Sequence, residues 1–349
     1  MKGIASMAEV IAIEQQPPSL PSSTYEMIRA AASAHPKLPA LSFFLRAQDH
    51  ERPTTWSYES FFARITATAN FFHSLGIGKN DVVAFALPNL PETHLTIWGG
   101  EAAGIVFAIN PLLEPAAIRA LLTAGEAKVL VTLAPFPGVD LWSKLQPIIH
   151  EVPTLRHLVL VELAEHVTGI KRLPARVLRR REETRLCGKG GVRAAAAPIT
   201  VHGFAQSIRR QPTDRLLSAR AIEPNDLSSF FCTGGTTGTP KIAMRTHANE
   251  VANAWSTGQF LGDGISAGKT IFCGLPMFHV NAVAVTGLLP FSRGAHVLLG
   301  TPEGYRGEGV VPRFWEIVER HKINFFSGVP TLYGALLQQP INGPTGGRN

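Results

Sequence analysis

The chain has 349 residues, of which 45% are hydrophobic and 17% charged, so it is long enough to bury a substantial core in two domains or one large one. Cys187, Cys232 and Cys273 are odd in number and lack metal-ligand spacing, which argues against a disulfide framework or a zinc site, and no apolar run is long enough to span a bilayer. The formal charge of +7 is unevenly spread, with a basic run between Lys171 and Arg193 and a nearly neutral remainder.

Residues 1 to 23 are polar and carry Pro17, Pro18 and Pro21, which reads as a loosely held leader; it has no basic start followed by an apolar core, so no signal peptide is expected. Folding should begin near Thr24. Tyr25, Ile28 and Ala32 have helical spacing, and Leu41 to Leu45 reads as a strand. From Ser60 to Leu75 apolar residues recur at helical intervals, and Gly76 and Gly78 supply a stop before a strand from Val82 to Leu87. The rhythm continues through a helix from Glu92 to Gly104, a strand from Ile105 to Asn110, a helix from Pro115 to Ala124 and a strand from Val129 to Thr132. Strands alternating with helices predict a parallel sheet. His73 and His94 read as helix-surface residues.

Between Glu165 and Leu217 the pattern weakens. Lys171, Arg172, Arg176, Arg179 to Arg181, Arg185, Lys189 and Arg193 accumulate, Gly188, Gly190 and Gly191 cluster, and the stretch reads as a long variable connection. No aromatic residue interleaves the basic run, so a solvated loop is favoured over a nucleic-acid surface.

Order returns at Asp226 to Phe231, which leads into TGGTTGTPK, Thr233 to Lys241. Gly234, Gly235 and Gly238 permit backbone angles that turn successive N–H groups inward around an anion. Thr233, Thr236 and Thr237 add hydroxyl donors, and Lys241 adds a mobile positive charge. A local glycine-threonine turn is the bland alternative. A Walker loop does not fit, because Pro240 separates Gly238 from Lys241 and Ile242 to Met244 reads as a strand. The loop is therefore expected to join two strands and to bind phosphate. Thr246 is placed to cap a helix from His247 to Gln259, with His247 helping to close the helix start.

FFCTGGTTGTPKIAMRTHANE resembles the phosphate-loop signature of the adenylate-forming enzymes, nearest to their acyl-CoA synthetases, although Ile242 stands where the family has glycine. The stretch from Thr54 to Leu113 is similar to the early part of the same fold.

Farther on, Gly268-Lys269-Thr270 is rejected as a Walker loop, since Gly264 is one residue too near and Thr270 opens a strand from Ile271 to Leu275. Pro276-Met277-Phe278-His279-Val280-Asn281 follows that strand. Ligands of parallel sheets gather outside the carboxyl ends of strands, so His279 and the phosphate loop are expected to face one crevice. From spacing alone, a lone histidine beside apolar residues such as His279 is more often a packing residue than a functional one. Its segment resembles the family's Pro-Leu-Phe-His motif, and the resemblance implies that His279 lies beside the substrate carboxylate and orients it. Strands at Gly294 to Leu299 and Ile323 to Phe326 flank a helix from Arg313 to His321. The stretch from Ser327 to Tyr333 resembles the family segment that lines the acyl pocket, which makes Val329 and Pro330 candidate wall residues.

The fold expected is α/β: stacked, largely parallel sheets with interleaved helices, forming the N-terminal part of an adenylate-forming domain over residues 24 to 340, with a polar tail from 341 to 349. The resemblance implies an ATP-dependent acyl-CoA synthetase that joins a fatty or related carboxylic acid to ATP and then to CoA, with Mg2+ as a cofactor. The family's adenine- and magnesium-binding segment, ribose-binding aspartate and C-terminal lid with its lysine have no counterpart here, so a truncated product is expected. A non-catalytic nucleotide-binding remnant or interaction protein is the alternative, and a basic nucleic-acid-binding protein a third reading. The expected compartment is a reducing cytoplasm, peripheral membrane contact stays open, and no metal-ligating residue is assigned.

Overall fold

A computed structural model describes residues 3–4, 6–15, 19–166, 198–233 and 241–341. It contains two sheets. One has the order β12-β10-β11-β1-β2, built from β1 (Pro39–Phe43), β2 (Thr54–Ser57), β10 (Thr270–Cys273), β11 (His296–Leu299) and β12 (Ile323–Phe326). The other has the order β7-β6-β5-β3-β4-β8-β9, built from β3 (Val82–Ala86), β4 (Ile105–Ala108), β5 (Ala127–Leu133), β6 (His157–Val161), β7 (Thr200–Gly203), β8 (Leu227–Thr233) and β9 (Lys241–Thr246). Neighbours pair in parallel except β1 with β2 and β8 with β9, which place an antiparallel strand at one edge of each sheet. The mixed α/β class with largely parallel sheets is thus the one expected.

The main core runs through both sheets and the helices packed on them. Every residue of the helix Pro91–Ala103 is buried, as expected of a helix enclosed on all sides. Tyr58, at the start of the helix Tyr58–Ser74, is also buried and donates its hydroxyl to the Ala295 carbonyl at 2.7 Å. The first sheet has a second, smaller core on its other face. Ile271 and Cys273 of β10 and Val297 and Leu299 of β11 enter the main core, whereas Phe272 and Leu298 pack with Phe314 and Ile317 of the helix Phe314–His321. That alternation is the two-residue period of a strand covered on both faces.

Several expectations change. His94 is fully buried, in ring contact with Phe61, Trp98 and Phe291, because the whole of its helix is enclosed. The stretch from Glu165 to Leu217 is more than a connection: its end supplies β7 and the helix Phe204–Ile208, whose Phe204 is buried. The basic run lies outside the described residues. The leader contains a helix, Met7–Gln15, and the Ile4 N–H donates to the Gln259 carbonyl at 2.9 Å. Strands β4 and β10 stop two residues early, freeing Ile109 to Asn110 and Gly274 to Leu275 for the loops that follow.

No element was expected between Val280 and Ser292. The structure has a helical run there, Val280–Val283, a π turn at Ala284–Leu288 and Leu289–Ser292. Pro290 lacks an N–H and crowds the carbonyl four residues back, a recognised cause of such a widened turn.

Candidate active site

Loops from the carboxyl ends of strands in both sheets converge on one crevice. Its first chamber, about 520 Å³, is lined by Asn110 after β4, Gly274 to His279 in part after β10, Tyr305 and Arg306 after β11, and Val329, Thr331 and Leu332 after β12. A second chamber, about 550 Å³, shares Leu112, Pro276, Phe278, Glu303 and Arg306 with the first and adds Pro88 and Asn89 after β3. Parallel strands all point their carboxyl ends the same way, so the loops that carry polar groups gather on one side.

His279 lines the first chamber and caps the helical run that follows, with its carbonyl accepting from the Val283 N–H. Partial burial, with the Arg306 charge adding to it, holds the imidazole below its ordinary pKa. It is therefore neutral near pH 7 and offers one N–H donor and one acceptor.

The segment before His279 is held by Asn89, which sequence reasoning passed over. Asn89 is buried, donates its amide to the Leu275 carbonyl at 2.9 Å and accepts from the Met277 N–H at 3.0 Å, while its own backbone N–H donates to Pro302 at 2.9 Å. One residue thus ties the end of β3 to the loop after β10 through its side chain and to the loop after β11 through its backbone. Asn89 lies in the short loop between β3 and the Pro91 helix start, the place where ligand-side loops begin, and that position was its only signal in the sequence.

Of the predicted phosphate loop, Thr233 and Lys241 are described, and Gly234, Gly235, Thr236, Thr237 and Gly238 lie outside the described residues. Thr233 and Lys241 are register partners at the end of the β8–β9 antiparallel pair, and both are exposed. The loop accordingly joins two strands, as its residues implied. Behind the pair lies a buried polar network. Glu250, on the helix His247–Leu261, accepts from the Ser228 hydroxyl at 3.0 Å and from the Ser229 hydroxyl, and Arg245 of β9 stands 3.8 Å away. Glu101, also buried, accepts from the Thr24 hydroxyl at 2.6 Å, and burial with the nearby Glu250 charge pushes its carboxyl well above the ordinary range.

Thr246 caps the helix by a reciprocal pair of bonds with Asn249, at 3.2 and 3.1 Å. His247 does not close the helix start with its side chain. Its ring turns inward to the Thr24 N–H and hydroxyl, at 3.4 and 3.3 Å, and burial, with the Arg220 charge adding, pushes it down to about 4.

The structure brings together residues that flank the two predicted segments, although none of Thr233, Lys241 and His279 lines the hollow they form. Arg245 and Asn249 form one side of an open hollow of about 480 Å³ whose other side is Val280, Asn281, Ala284 and Val285, immediately after His279. Val329 lines the first chamber, but Pro330 does not: it is exposed and starts the helix Pro330–Leu337, and its neighbours Thr331 and Leu332 form the wall instead.

The sequence profile of the AMP-binding enzyme family matches residues 28–345. The chain is similar to the marinolic acid–CoA ligase of Pseudoalteromonas sp. (strain SANK 73390), with 33% identity covering 97% of this chain and 48% of that protein. It is also similar to a long-chain-fatty-acid–CoA ligase of Bacillus subtilis (strain 168), with 25% identity covering 92% and 53%. The chain therefore spans about half the length of the curated relatives it matches. Among solved structures, the anthranilate CoA ligase AuaEII bound to anthranoyl-AMP superposes with a TM-score of 0.67 at 19% identity, covering 93% of this chain and 54% of that one. The N-terminal domain of FACL13 from Mycobacterium tuberculosis gives a TM-score of 0.64 at 18% identity, covering 92% and 66%. At these identities the structural likeness is one of fold.

Proposed function

The chain belongs to the AMP-binding enzyme family, and on that premise we propose that it carries the phosphate-binding strand pair and the acid crevice of an ATP-dependent acyl-CoA ligase. The observation that supports this reading is the hollow where Arg245 of β9 and Asn249 face Val280 and Asn281, which directly follow His279 on the wall of the first chamber. In the first step a carboxylate oxygen attacks the α-phosphorus of ATP, the bond to the bridging oxygen breaks, and pyrophosphate leaves. The loop from Thr233 to Lys241 stabilises the charge that builds on the leaving phosphates. His279, neutral, donates its N–H to one carboxylate oxygen and turns the other toward phosphorus, which is a gain in orientation. In the second step the CoA thiol, having lost its proton, attacks the acyl carbon and AMP departs, leaving the thioester.

Val329 belongs to the acyl wall in this reading, and Pro330 supports it by starting the following helix. The folded unit is taken as residues 24 to 340. Supply of ATP and CoA points to the cytoplasm, and no helix among the described residues is long and apolar enough to cross a membrane. For Mg2+ the foot of the β8–β9 stem is a poor fit, because its buried carboxylate, Glu250, is already engaged by Ser228, Ser229 and Arg245.

Acid-dependent exchange of labelled pyrophosphate into ATP tests the proposal, measured on the chain joined to the remaining portion of the marinolic acid–CoA ligase and supplied with straight-chain fatty acids. Exchange is expected, and Lys241→Ala should lower it roughly 5- to 150-fold, the equivalent of about 1 to 3 kcal/mol for a charge-assisted hydrogen bond. An exchange rate indifferent to Lys241 removes that residue from the phosphate site, and ATP binding without any exchange points to a nucleotide-binding role instead.

A further inference from the structure

The crevice contains a cation that neither predicted segment accounts for. Arg306 lines both chambers and so stands at the waist between them. Its place is set by the backbone of a short turn, Gly304–Arg306, which is stapled to two strand ends. The Tyr305 N–H donates to the Gly274 carbonyl at 2.9 Å, just past β10, and the buried Tyr305 hydroxyl donates to the Ser327 carbonyl at 3.0 Å, just past β12. Gly304 has φ +59°, and a Cβ there would lie 2.0 Å from the Gly274 carbonyl oxygen, so only glycine lets the turn press this close to β10.

Arg306 is the only lysine or arginine lining the His279 chamber among the described residues, and it forms no ion pair there. Arg46, at the far side of the second chamber, is held by Asp49 through bonds of 2.7 and 3.1 Å. Glu303 lines both chambers and Glu308 the second, and both repel an anion, so among the described residues Arg306 is the one cation at the waist that can hold one. A carboxylate entering a chamber walled by Leu275, Phe278, Val311, Val329 and Leu332 loses water and needs a charged partner. His279 cannot supply that charge near pH 7, since burial and the Arg306 guanidinium itself keep the ring neutral.

We propose that Arg306 binds the carboxylate of the acid substrate at the waist of the crevice, with a monocarboxylic acid's apolar tail in the chamber beside Val329 and Leu332. This rests on the ligase reading above. Guanidinium matches carboxylate in a planar two-bond geometry that a lysine reproduces only as a point charge. His279 then orients an anion that Arg306 has already neutralised.

Calorimetric titration of the 349-residue chain with octanoate, with octanamide as its uncharged analogue and with ATP separates the possibilities. Arg306→Met should weaken octanoate binding about tenfold or more while leaving octanamide and ATP unchanged, and Arg306→Lys should recover part of the loss. Both variants alter an exposed side chain and spare the backbone bonds of the turn, so folding is retained. Equal octanoate affinity in Arg306→Met overturns the proposal. So does a parallel loss for octanamide, which marks a change of cavity shape, or a loss confined to ATP, which marks a phosphate contact. Wild-type protein that binds ATP but not octanoate overturns the carboxylate assignment and leaves the ligase reading standing, whereas wild-type protein that binds neither overturns both.

Discussion

Among the described residues His94 has nothing to bond to. Both ring nitrogens are buried without a partner among Phe61, Trp98 and Phe291, and burial pushes its pKa down to about 3. The unfolded chain binds a proton at His94 below about pH 6.5 and the folded one only below about 3. Stability contributed by keeping it neutral is therefore complete above pH 6.5 and is lost as pH falls toward 3, by about 1.4 kcal/mol per pH unit across that window. His94→Leu removes two unsatisfied polar atoms at little change of volume, so it should raise stability by about 1 kcal/mol at pH 7 and by more in acid. Urea midpoints measured at pH 7 and pH 5 check this, and an acid slope as steep in the variant as in the wild type contradicts it.

The helix His247–Leu261 is anchored from both its start and its interior. Its cap, Thr246 with Asn249, lies at the surface, so Thr246→Ala should cost about 1 kcal/mol. Glu250 lies one turn in, buried, and gathers Ser228, Ser229 and Arg245 onto one carboxylate. Removing it strands the Ser229 hydroxyl and the Arg245 cation in the interior, the Ser228 hydroxyl keeping the Arg245 carbonyl as acceptor, and Glu250→Ala should cost about 3 kcal/mol or more. Thermal melts of the two variants test the ranking. If Thr246→Ala proves the more damaging, the helix is held by its end and the buried network is idle. Because β8 and β9 carry Thr233 and Lys241, loosening Glu250 should also weaken ATP binding, while Thr246→Ala leaves it nearly unchanged.

Across the whole molecule, the connection between β6 and β7 has to cross the sheet, since those strands are parallel neighbours. A crossover of this kind takes a dozen or more residues. Deleting Lys171 to Arg193 leaves about fifteen residues between Val161 and Thr200, enough for the crossing. The melting temperature and ATP affinity of the deleted protein should match those of the intact chain. A cooperative loss of structure would show that the basic run packs against the sheet.

Local periodicity was enough to place most strands and helices to within one or two residues. The helix cap at Thr246 and the strand–loop–strand form around Lys241 were legible because capping and turn chemistry act between near neighbours. Burial of His94 was not, because a helix enclosed on all sides carries no polar face, and its histidine looks the same in sequence as one at the surface. The segment from Ile199 to Ile208 was hidden by the arginine-rich stretch before it, and its apolar residues find their place only against β6 and the helix Tyr58–Ser74. The crevice, too, lies beyond local reading. His279, Asn89 and Arg306 come from loops far apart in the chain, and only the parallel packing of two sheets, which turns all those strand ends the same way, sets them around adjoining chambers.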